Sequence, residues 1–92
     1  MIDPDCSRYF IIGRMSCPFC VMAIDLCIAD SRQYVFFECE DSQVEQEYKN
    51  FHSHPTVPII LANNLKTGYT KKVGGYVDLL DFIGCQKEKN QK

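Results

Sequence analysis

Three observations predict an α/β fold for this chain. Patterns of buried strands and of helices alternate along it in the order β-α-β-α-β-β-α. The last two strand patterns are joined by a turn-rich segment and read as a hairpin. A pair of cysteines, Cys17 and Cys20, sits where the first strand pattern passes into the first helical one.

The first strand spans 7–13, a short and mostly apolar run that stops at Gly13. A helix follows over 18–29. Pro18 suits its first turn, where the missing N–H would have no intrahelical partner anyway. Cys20, Ile24 and Cys27 recur on one face of it, and Asp25 is almost its only polar residue, so both flanks are expected to be buried. Residues 34–39, rich in aromatic and β-branched types, form the second strand. Ser42-Gln43-Val44-Glu45 has the form of a capping box and predicts a helix from 43 to about 51. After the break at His54-Pro55, residues 56–61 read as the third strand, with Pro58 near its start. A turn over 63–68 leads to a fourth strand, 69–73. Gly74-Gly75 then opens a last helix with Val77, Leu79, Leu80, Phe82 and Ile83 on its apolar face. Residues 86–92 are polar and charged and are expected to form a disordered tail.

A length of 92 residues suits one domain, read as 1–92 with its core at about 7–85. At 46% apolar and 24% charged, the chain has enough hydrophobic content for a core of its own. A net charge of −2 without a Lys/Arg cluster gives no footprint for nucleic acid. No apolar run approaches a membrane span, and Met1-Ile2-Asp3-Pro4-Asp5 lacks the features of a secretory signal. The expectation is a cytoplasmic protein with no membrane or nucleic-acid partner.

Six cysteines would suit a secreted disulfide framework, but a CxxC at a strand–helix junction points to redox chemistry. Positions i and i+3 share a face at a helix start, so the two sulfurs can meet. Cys17 falls where unpaired N–H groups and the positive end of the helix dipole favour a thiolate, the nucleophilic form. The competing reading is half a zinc site. Cys6, Cys27, Cys39 and Cys85 offer no second pair at ligand spacing, and His52-Ser53-His54 is too tight for the usual histidine pair. No metal is expected. Cys27 reads as core, Cys39 and Cys85 as inert, and His52 and His54 as exposed loop residues.

Three motifs are similar to those of the glutaredoxins, in the thioredoxin-fold superfamily: Gly13-Arg14-x-x-Cys17-Pro18-Phe19-Cys20, Thr56-Val57-Pro58, and Gly74-Gly75-Tyr76-Val77-Asp78. The resemblance covers residues 7 to 85. It implies a thioredoxin fold with a four-stranded mixed sheet flanked by helices. It also implies a glutathione-dependent thiol-disulfide oxidoreductase in which Cys17 attacks and Cys20 resolves. Pro58 would be cis and face the cysteines, exposing the Val57 backbone to an extended substrate. Glutathione would lie along this rim, beside Phe19 and Thr56, with Arg14 at its glycine carboxylate. Gly74 and Gly75 would allow close approach, and the N–H groups of Val77 and Asp78 would hold the γ-glutamyl carboxylate. The Asp78 carboxylate would sit beside the α-amino group.

Two positions depart from the family pattern: Phe19 stands where tyrosine is commoner, and Val77 where threonine is frequent. The hairpin over 61–73 is longer than usual. The resemblance implies no bound prosthetic group, with glutathione as reducing co-substrate. The implied partners are glutathione and disulfide-bearing or glutathionylated proteins, with ribonucleotide reductase a family-level candidate, and the chain is expected to be a monomer. Two other classes fit the same residues. One is a thioredoxin-like enzyme recharged by a flavoprotein reductase. The other is a module that bridges an iron–sulfur cluster between two chains, against which Pro18 argues. Arg14 also reads as a solvated charge, and Asp78 as a carboxylate stabilising a helix start.

Overall fold

Strand β1 (Ser7–Gly13) lies inside the sheet because its residues are wanted on both faces: Tyr9 and Ile11 point one way, Ile12 the other, and all three are buried. It pairs in parallel with β2 (Tyr34–Glu38) and antiparallel with β3 (Ile59–Asn64). Strand β4 (Thr70–Gly74) pairs antiparallel with β3, giving the order β2-β1-β3-β4. Helices α1 (Pro18–Ala29), α2 (Ser42–Phe51) and α3 (Tyr76–Asn90) complete the element order β-α-β-α-β-β-α. The computed structural model describes residues 7–39 and 41–90, with side chains as far as Gly84.

The main core lies on one side of the sheet. There Tyr9, Ile11, Ile60 and Ala62 meet Ala23, Ile24 and Cys27 of α1 and Leu79 and Ile83 of α3. A smaller cluster on the other side joins Ile12, Ile59 and Cys39 to Val44 and Tyr48 of α2. Each large aliphatic side chain buried in this way contributes about 1.5–3 kcal/mol. Both helices of the main layer, α1 and α3, start at the same rim of the sheet, where β1 and β4 end.

Several expected boundaries shift, each for a local reason. Asp41, not Ser42, caps α2: its Oδ1 accepts the Val44 N–H at 2.9 Å, so the helix begins at Ser42 itself. Residues 56–58 do not join the sheet. Pro58 has no N–H for a ladder, and β3 starts at the next residue and runs on to Asn64. The hairpin turn shrinks to 65–67, closed by Asn64 Oδ1, which accepts the N–H groups of Lys66 and Thr67 at 2.9 and 3.0 Å. Helix α3 continues to Asn90 through residues expected to be disordered, a Gln-Lys-Glu-Lys run with good helix propensity. Helix α1 buries only one flank. Cys20, Ala23, Ile24 and Cys27 face the sheet, while Met22 and Ile28 face outward with Asp25. On α3, Leu79 and Ile83 are buried but Val77 and Leu80 are exposed.

Candidate active site

The site grows from the turn between β1 and α1. Cys17 is the N-cap of α1, in extended backbone conformation, with Pro18 behind it. No side chain caps this helix end, and its first turn holds no acidic residue. The Cys17 sulfur therefore has the helix start to itself among its own turn's side chains. Cys17 is half-buried, and its thiol donates to the Val57 carbonyl oxygen at 3.8 Å.

Cys20, one turn on, has no exposed surface. Its sulfur accepts the Arg14 backbone N–H at 3.4 Å. Burial pushes the Cys20 thiol up to about 12; the Arg14 N–H opposes that rise, and the neighbouring Cys17 thiol adds to it. Gly13 makes the arrangement possible, since a Cβ there would overlap the Cys20 sulfur. The pair is thus unequal: one sulfur at the surface, the other held protonated beneath it. Burial likewise raises Cys27, to about 11, and Cys39. Cys6 and the Cys85 side chain lie outside the described residues.

Beside Cys17 runs a cleft of about 280 Å³, lined by Phe19, His54, Thr56, Val57, Pro58, Gly75, Tyr76, Val77 and Asp78. The Val57–Pro58 bond is cis. The Phe19 and Tyr76 rings stand 6.2 Å apart and form one wall. Val77, 62% exposed, forms part of the lip. The opposite sheet edge is set by an irregularity in β4, which pairs Leu61 with Lys72 but Ile60 with Gly74, so that the chain leaves the sheet at the glycine pair. Gly74 has φ +124°, and a Cβ on it would collide with the Asp78 carboxylate. Asp78 Oδ2 accepts the Gly75 N–H at 2.8 Å, the reach-back half of a capping box at the start of α3.

Seven of the eleven residues singled out in the sequence line this cleft, and Cys17 adjoins it through Val57. Cys20 and Gly74 lie beneath the surface. Arg14 turns elsewhere: its Nε bonds Glu45 Oε1 on α2 at 2.8 Å. The sequence reading missed two lining residues, Tyr76 and His54. Tyr76 stands inside the third motif; His54 sits two residues before Thr56, a spacing that carries no signal of its own. Neither histidine is an exposed loop residue. His52 is half-buried against the rings of Tyr48 and Phe51, and His54 is half-buried in the cleft. The His54 imidazole is held below its ordinary value by burial and then by Lys72, with Asp78 acting against them. Among the described residues no cluster of His, Cys, Asp and Glu could hold a metal ion, and no helix is long and apolar enough to cross a membrane.

No family model matches this sequence, and no curated protein matches it. Solved structures do. Glutaredoxin 1 from Francisella tularensis, crystallised in complex with cacodylate, is similar at a TM-score of 0.69 and 18% identity, over 91% of this chain and 98% of that one. Wheat glutaredoxin is similar at a TM-score of 0.64 and 21% identity, over 85% of this chain and 72% of that one. At such identities the likeness is one of fold: the chain has the thioredoxin fold in its glutaredoxin form.

Proposed function

We propose that this chain is a dithiol thiol-disulfide oxidoreductase that draws its electrons from glutathione. The observation that carries the reading is the inequality of Cys17 and Cys20. Cys17, at an uncapped helix start, is the attacking sulfur. Its thiolate bonds one sulfur of a substrate disulfide; the old S–S bond breaks, and the leaving thiolate takes up a proton. The Cys17 mixed disulfide is then attacked by a second thiolate. That nucleophile is either Cys20 after losing its proton, which closes a Cys17–Cys20 disulfide, or glutathione. Two glutathione molecules supply the two electrons and leave as glutathione disulfide.

The cleft supports the choice of co-substrate. It offers an aromatic wall, the Val57 residue before the cis bond and a helix start in reach of one another, which suits an extended tripeptide with carboxylates at both ends. The Asp78 carboxylate would meet its ammonium group. No prosthetic group enters this chemistry. Glutathionylated or disulfide-bearing proteins are the substrates this reading requires, and a monomer in the cytoplasm meets its needs.

A second reading has its own observation. Arg14 and Asp78, the two charges expected at glutathione, both have internal partners, Glu45 and the Gly75 N–H. An enzyme recharged by a flavoprotein reductase would need neither charge for glutathione. One experiment decides between them: reduction of a glutathionylated peptide with glutathione and glutathione reductase as electron source, against a thioredoxin reductase system. Turnover with glutathione supports the first reading; turnover only with the flavoprotein overturns it.

A further inference from the structure

The guanidinium of Arg14 is not a bare charge. Its Nε bonds Glu45 Oε1 at 2.8 Å, and Lys49, one turn further along α2, meets Glu45 Oε2 at 2.6 Å. The Arg14 side chain is 47% exposed and that of Glu45 only 10%, so a buried carboxylate lies under an open cation. Asp41 has already taken the capping role that the sequence gave to the 42–45 segment, and the Glu45 carboxylate is turned to Arg14 and Lys49 instead.

We propose that Glu45 is a positioning residue that sets the charge selectivity of the rim: it holds Arg14 in place and offsets much of its attraction for a substrate carboxylate. This rests on the reading of Arg14 as the group that meets the glycine carboxylate of glutathione. An anion approaching Arg14 meets the cation first and the Glu45 carboxylate just behind it. At a partly exposed rim the net attraction is then that of a dipole rather than of a charge. Lys49 acts in the opposite sense. By sharing the same carboxylate it restores part of the positive potential at Arg14. Two residues on one face of α2 thereby tune discrimination in opposite directions, and neither touches the substrate.

The test uses two mixed disulfides of glutathione with a chromogenic thiol, one with the free glycine carboxylate and one with that group as its amide. Dithiothreitol is the electron donor in both cases. The quantity read is the ratio of kcat/KM for the carboxylate substrate to that for the amide. Glu45→Gln keeps an acceptor for Arg14 Nε and loses the charge. It should raise the ratio about three- to tenfold, through KM for the carboxylate substrate. Lys49→Gln should lower the ratio, and Arg14→Gln combined with Glu45→Gln should show no rise. A Glu45→Gln ratio within twofold of the parent's, or a shift of the same sign in Glu45→Gln and Lys49→Gln, overturns the proposal. Should Glu45→Gln fail to fold, the sign of the Lys49→Gln shift decides alone. A parent enzyme that reduces neither mixed disulfide, yet still reduces a peptide disulfide, removes the glutathione reading itself and this inference with it.

Discussion

The backbone N–H of Arg14 points at the sulfur of Cys20 from 3.4 Å, and it is the largest influence opposing the burial that keeps that thiol protonated. In a Cys17 mixed disulfide the Cys17 thiol no longer adds to the rise, but burial, its largest cause, still holds Cys20 above the ordinary thiol value. The step in which Cys20 resolves that mixed disulfide should therefore accelerate with a slope near +1 in log rate between about pH 7 and 9. Rapid-quench mass spectrometry of the glutathionylated enzyme measures it; a flat profile would show that Cys20 is not limited by its proton. Cys20→Ser should still turn over small glutathione mixed disulfides, because glutathione resolves Cys17 from outside.

Native labelling gives the static counterpart. Among Cys17, Cys20, Cys27 and Cys39, limiting iodoacetamide should modify Cys17 first, since the other three are buried with raised thiols. The raised thiols also link stability to pH. Their contribution is complete below the unfolded value near 8.5 and is lost as pH rises towards 11–12. Unfolding by urea should become easier over that alkaline window.

Gly13→Ala places a methyl group against the Cys20 sulfur. The sulfur must move, or β1 must, at a cost of about 1–3 kcal/mol. Denaturant midpoints should fall accordingly, and Cys20 should become open to alkylation in the folded state. A variant with the parent's midpoint and labelling pattern would show that the turn has slack.

Asp78 serves the fold through an acceptor and would serve glutathione through a charge, and two substitutions separate these. Asp78→Ala leaves the Gly75 N–H without its partner and should cost about 1 kcal/mol, a fall in Tm of about 4–8 °C. Asp78→Asn keeps an oxygen acceptor, so it should hold most of the Tm while raising KM for a glutathionylated peptide about 5- to 30-fold. Equal KM values in Asp78→Asn and the parent would confine Asp78 to its helix.

His54 should titrate below the ordinary histidine value, with its position set by named neighbours. Lys72→Gln removes a lowering influence and should move the midpoint up; Asp78→Asn removes the raising one and should move it down. Imidazole proton shifts in NMR follow both. A depressed His54 contributes stability that is present above about pH 6.5 and lost as pH falls through its folded value.

The alternation of strands and helices and the glycine, proline and cysteine motifs were legible because local patterns dictate them. Pro18 fits the first turn of the helix it opens, and the Gly74-Gly75 pair breaks one pattern and opens the next. Glu45 was not legible. Read along the chain it is a helix-start acid, and only the packing of α2 against the β1–α1 turn brings it to Arg14. The same holds for His54, half-buried in a cleft that it shares with Gly75 and Asp78 from a later segment, and for the outward flank of α1, whose apolar Met22 and Ile28 look like core in one dimension. Pairings along an element are written in its spacing; pairings across elements are not.

The bond from Cys17 to the Val57 carbonyl joins residues forty positions apart. During synthesis β1, α1 and β2, with Cys17 and Cys20, leave the ribosome before Val57, Pro58 and the Gly74-Gly75 turn. A nascent chain at that stage presents the thiol pair without the cleft beside it. Its sulfurs would be open to any passing oxidant and would favour no particular exchange partner. If the proposed function holds, the nucleophile is translated before its selectivity, and a truncated or stalled product would be an indiscriminate thiol, not a weak version of the full chain.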